Sequence, residues 1–199
     1  MTQRPILVTA ASGGTGLPAA ALQPALAEKV GGTASAQAWF ARGERVGYDP
    51  KARAIVAAQG APLQVFLRRE GDLAHAVSFL PGYPDGSFGW AKVLPHLPNA
   101  AEMPKLFVEY IGMGDSDKPK DYAYSTAERA DLVEAIWRDL SVQSTTLVAF
   151  DFSSLVVLEH LRRRLERSKR GEPAGGLGCV TSTSSAYPPT HAGEVSEHR

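Results

Sequence analysis

An α/β fold with a mostly parallel central sheet and flanking helices is the class this sequence predicts. Three observations lead there. From residue 62 onward, strand-type and helix-type segments alternate, the pattern that stacks helices on the faces of a parallel sheet. One buried-type strand, 144–150, runs straight into a helix that begins at Ser153. Apolar residues make up 44% of the 199 and charged residues 21%, an ordinary balance for a packed domain.

The elements follow in order. Residues 1–35 are Ala/Gly-rich and read as an extension, with the folded domain over 36–199. A short helix is expected at 36–42, then a loop through Tyr48-Asp49-Pro50. Residues 62–69 (PLQVFLRR) alternate apolar and polar like a half-buried strand. Residues 76–80 (AVSFL) form a short apolar run that ends at Pro81-Gly82. Residues 88–97 have helical spacing, and 105–110 (KLFVEY) read as a strand. Ser125 and Glu128 then form a capping-box pattern, in which each side chain satisfies a backbone N–H at the start of a helix over 126–140. Leu132, Val133, Ile136 and Leu140 fall on one face of it. The helix over 153–170 is expected to bury Leu155, Leu158, Leu161 and Leu165. Its charged end, from Arg162 to Arg170, reads as a solvated terminus whose cations suit the helix dipole, in preference to a basic binding patch.

Lys plus Arg and Asp plus Glu both number 21, so nothing in the charge draws a nucleic acid or an acidic membrane. The apolar runs are too short for a transmembrane span, which needs about 18 residues. Gly13, Gly14, Gly16, Pro18 and Pro24 break up the apolar start and argue against a secretory leader. A single cysteine, Cys179, precludes an internal disulfide and fits a reducing, cytoplasmic setting.

The chemistry-bearing segment is LVAFDFSS, residues 147–154. A nucleophile at a strand-to-helix junction sits on a tight turn that holds its side chain clear of the backbone and aims the next N–H at the reacting oxygen. The turn demands small residues two places before and two after. Asp151 has Ala149 and Ser153 there. Ser153 would have Asp151 and Leu155, and Ser154 would have Phe152 and Val156, so both fail. A carboxylate at this place can attack carbon and form an ester, which an activated water then hydrolyses. The plainer alternative is that Asp151 only caps the following helix.

Neighbouring motifs bear on that choice. LPGYP (80–84) is a strand end and turn. Ser87-Phe88-Gly89-Trp90 follows, then EYIGMGDSDKP (109–119), whose GMGDSDKP block is the most specific part. With the elbow, this order resembles the α/β-hydrolases, in particular the haloalkane dehalogenase and epoxide hydrolase branch, over about 62–191. The resemblance implies the N-terminal half of that fold, with the cap domain and C-terminal strands absent. It implies Asp151 as nucleophile and the backbone N–H groups of Phe152 and Tyr83 as oxyanion donors. No cofactor and no metal are implied. The expected ligand is a small apolar organic molecule, and an exposed sheet edge makes self-association possible.

The departures from the family are specific. Pro81 stands at the family's His, Glu109 at its Asp, Phe150 at the His before the nucleophile, and Ser153 at its Gly. Tyr83 and Phe152 replace side-chain halide donors, which argues against dehalogenation. The family's catalytic His and late acid have no counterpart here. His75, His96, His160, His191 and His198 read as ordinary histidines, so weak activity or none is expected of the chain as given. CVTSTSSA (179–186) is polar where the family has an apolar strand, which suggests a shifted reading frame or drift. Two rival readings stay open. One is a non-catalytic pseudo-hydrolase that binds a small apolar ligand or a protein. The other is an NAD(P)-dependent oxidoreductase, from the strand and Gly-rich turn ILVTAASGGTG at 6–16.

Overall fold

A computed structural model describes residues 7–8, 32–172 and 177–182. The strands are β1 (Leu7–Val8), β2 (Glu44–Asp49), β3 (Ala54–Val56), β4 (Leu63–Glu70), β5 (His75–Leu80), β6 (Lys105–Val108), β7 (Ser144–Ala149) and β8 (Leu177–Ser182). The helices are α1 (Gly32–Phe40), α2 (Thr126–Asp139) and α3 (Ser153–Lys169), with two 3-10 turns at Ser87–Lys92 and Leu94–His96. All eight strands join one sheet in the order β1-β8-β7-β5-β6-β4-β2-β3. From β1 to β6 every neighbouring pair is parallel, and from β6 to β3 every pair is antiparallel.

Side chains of successive strand residues leave opposite faces, and both faces are covered. Leu106 and Val108 join Val65, Leu67, Leu147 and Ala149 under α2 and α3, against Leu132, Val133, Ile136, Trp137, Val156 and Val157. Phe107 and Phe79 point the other way, into an aromatic cluster with Trp39 of α1 and Trp90. Ser78 is a polar residue on the helix side. Its buried hydroxyl is bonded to Thr145 Oγ1 at 2.8 Å and accepts from Trp137 Nε1 at 3.0 Å.

Four local expectations need correction. Residues 44–56 are a hairpin, not a loop. Asp49 Oδ1 accepts from the N–H groups of Lys51 and Ala52 and forms the turn. Residues 88–97 fold instead as part of two 3-10 turns, Ser87–Lys92 and Leu94–His96, the first of which buries Ser87 and Trp90. The capping box is half made: Ser125 Oγ accepts from Glu128 N at 3.2 Å, but neither oxygen of the Glu128 carboxylate finds a partner. Finally, α3 is turned over. Leu155, Leu158 and Leu165 are 50%, 53% and 63% exposed, while Ser153, Val156, Val157 and His160 face inward.

Two arginines of α3, Arg163 and Arg167, are tied to its neighbour, while the exposed Arg162 pairs within the helix with Glu159 and Glu166. Arg163 donates to Asp131 at 2.7 Å and to the carbonyl of Ala127, and Arg167 donates to Glu134 at 2.6 Å. No described helix is long and apolar enough to cross a membrane. Of the Gly-rich start, β1 pairs in parallel with β8, and residues 9–31 lie outside the described residues. The 35/36 boundary falls inside α1.

Candidate active site

Strands β5 and β7 are parallel neighbours, with Leu80 level with Ala149. The loops that follow them therefore leave the same end of the sheet side by side. Asp151 is the middle of the three residues between β7 and α3, with φ at 53°. A positive φ is uncommon outside glycine, and here it bends the chain sharply enough to present the carboxylate outward. Asp151 is exposed, and its Oδ1 accepts from the Tyr83 N–H at 3.0 Å.

The turn closes because its flanks are small. Ala149 and Ser153 are both fully buried. Ser153 Oγ donates to the carbonyl of Pro81 and is bonded to Tyr110 OH at 2.9 Å. The hydroxyl at the place the family gives to glycine thus ties the elbow to the loop that carries Tyr83. Phe150 packs edge-on against Trp90, with ring centroids 5.2 Å apart, and presses on Gly82 so closely that a Cβ there would lie 2.4 Å from the ring.

A buried carboxylate, unremarked in the sequence except as a departure, organises the rest. Glu109 is fully buried. Its Oε1 accepts from both the N–H and the hydroxyl of Ser87 at 2.7 Å, and its Oε2 accepts from Asp115 N. Trp39 Nε1 donates to Ser87 Oγ at 2.9 Å, so α1 joins the same network. Burial raises the pKa of Glu109, and the hydrogen bonds from Asp115 and Ser87 oppose that rise. Gly114, at φ 51°, leaves room for it: a Cβ there would collide with the carboxylate. The glycine inside the GMGDSDKP block was the available sequence signal.

Asp85, near the rim, is raised by partial burial and then by the Asp151 carboxylate. Arg129 of α2 stacks on Phe152, its guanidinium carbon 4.3 Å from the ring. The described histidines sit elsewhere. His75 bonds Ser144 at the opposite end of β7, and His96 ends a 3-10 turn. His160 is buried against Trp137, where burial lowers its pKa and the neighbouring Glu134 opposes the fall. His191 and His198 lie outside the described residues. Among the described residues no group of three or more His, Cys, Asp or Glu is placed to hold a metal ion.

A tight strand-to-helix elbow at the end of the central parallel strand, beside the loop of the adjacent strand, is the arrangement of the α/β-hydrolase fold, and the chain has that fold. No family model matches it. Among curated proteins it is similar to LipZ of Mycobacterium tuberculosis, provisionally assigned as a hydrolase, at 33% identity over 103 residues, 52% of this chain and 35% of that one. The mesoderm-specific transcript homolog protein of Bos taurus is 32% identical over 117 residues, 58% of this chain and 34% of that one. The chain thus spans about a third of the length of these relatives. An esterase structure from Exiguobacterium antarcticum shares the fold, with a TM-score of 0.50 at 18% identity, over 60% of this chain and 41% of that one.

Proposed function

We propose that this chain carries the nucleophile half of a hydrolase that works through an aspartyl ester, with Asp151 as the attacking group. The carrying observation is the hydrogen bond from Tyr83 N–H to Asp151 Oδ1 at an elbow with positive φ. That bond makes the two carboxylate oxygens unequal. Oδ1 is held, and Oδ2 is free to attack an electrophilic carbon. As the new C–O bond forms, the bond to the leaving oxygen or halide breaks and its electron pair departs with it. Oδ1 then becomes the ester carbonyl oxygen. When water adds to Cγ, negative charge grows on Oδ1, where the Tyr83 N–H already points and where the Phe152 N–H would join it.

The expected substrate class is a small organic electrophile, an epoxide or an ester before a haloalkane, because Tyr83 and Phe152 offer no paired side-chain donors to a halide. Hydrolysis of the ester needs a base, worth about 10²–10⁴-fold, and no described histidine is bonded to Asp151. The reading therefore favours ester formation over sustained turnover. A binding role without turnover is the second reading, and the same placement of histidines favours it.

The test is intact-mass measurement after incubation with styrene oxide, followed by peptide mapping. One adduct on Asp151, absent from Asp151→Asn, is the expected result. An unmodified Asp151 under conditions that alkylate other carboxylates would overturn the reading.

A further inference from the structure

Arg129 is 5% exposed, and its Nε and Nη1 have no hydrogen-bond partner. Its guanidinium carbon lies 4.3 Å from the Phe152 ring centroid and 5.3 Å from that of Tyr110. Tyr83 and Tyr124 lie close enough to act on its charge. Glu128 attracts it electrostatically, yet the Glu128 oxygens are unbonded too, and among the described residues no carboxylate pairs with Arg129. A full cation is thus walled by aromatic rings directly behind the residue that follows Asp151. Aromatic faces offset only part of the cost of burying it, because its N–H groups still lack acceptors. Such orphan donors call for an acceptor that arrives from outside.

We propose that Arg129 is an anion-binding residue of the elbow site, and that the molecules reacting with Asp151 carry a carboxylate that docks on its free N–H groups. The substrate class rests on the Asp151 reading; the binding of the anion does not. A planar guanidinium with unused donors matches a carboxylate. The aromatic walls suit an aryl or short alkyl group on the same molecule.

The test is calorimetric titration of the full chain with phenylacetate and, in parallel, with uncharged phenylacetamide. Phenylacetate should bind at least tenfold more tightly. Arg129→Gln should lose that preference, and Arg129→Lys should keep part of it, since lysine retains the charge without the planar fork. Asp151→Asn should bind phenylacetate more tightly than the wild type. Equal affinity for acid and amide, no binding of the acid, or an unchanged preference in Arg129→Gln would overturn the proposal. If Arg129→Gln does not fold, the wild-type comparison of acid with amide and the Arg129→Lys value decide the matter. Acid-selective binding without any Asp151 adduct would refute the nucleophile alone, and an adduct without acid selectivity would refute Arg129 alone.

Discussion

Glu128 sits at the start of α2 with both carboxylate oxygens buried and unbonded. Burial raises its pKa to about 7; Arg129 opposes the rise and Asp131 adds to it. The folded value lies above the ordinary 4.5, so the fold favours the protonated form. The stability associated with that preference is fully present below about pH 4.5. It is lost as pH rises toward 7 and then levels off. Glu128→Gln should therefore stabilise the protein at pH 8 by about 1–2 kcal/mol, discounted for partial exposure, and change it little at pH 4.5. Urea unfolding at the two pH values checks this; equal shifts at both would show that Glu128 is not ionised under strain. The oxygen of Tyr48 is likewise unbonded, and burial and then Glu128 raise its pKa.

At the scale of elements, α3 shows how an elbow sets the phase of a helix. Ser153 must face the Pro81 carbonyl for the turn to close, and every later residue follows at 3.6 per turn. Val156, Val157 and His160 then land on the buried side, Leu161 packs at its margin, and Leu155, Leu158 and Leu165 stay exposed. Burial, not hydrophobicity, decides what a substitution costs. Val157→Ala should lose about 2 kcal/mol, since it empties a packed site. Leu158→Gln should stay within about 0.5 kcal/mol, because its side chain is half in water. Chemical denaturation of the two variants measures both, and a larger loss at Leu158 would mean that something covers that face. The opposite flank of the helix is fixed by charge, since Arg163 and Arg167 reach Asp131 and Glu134 across the seam to α2. Glu134 is held at about 2: burial resists its ionisation, and His160 and Arg167 more than compensate.

For the molecule as a whole, the proposed nucleophile and the described histidines are held apart. The sheet delivers Asp151 and Tyr83 to one end, while His75 is at the other end and His160 lies inside the α2–α3 layer. With styrene oxide the purified chain should form at most one equivalent of adduct and release little diol. Product counted against protein concentration checks this. Many turnovers per chain, abolished in Asp151→Asn, would instead assign the base to a histidine beyond the described residues.

Much of this was legible in the residues themselves. Period-2 alternation marked β4, a short apolar run marked β5, the Ser125 cap marked α2, and the small residues around Asp151 singled it out from Ser153 and Ser154. Each of these signals is local, because strand alternation, helix capping and a tight turn are steric facts of a few neighbouring residues. The β2–β3 hairpin was hidden because its strands are short and β2 is seated in the sheet by β4, which follows later in the chain. The leucines of α3 misled because a helix's own periodicity says which residues share a face, not which way that face turns. That rotation was decided by the contact between Ser153 and Pro81, 72 residues apart in the chain. The same holds for Glu109 with Ser87 and for Arg129 with Phe152. Their roles depend on distance in space, which only the closed sheet supplies.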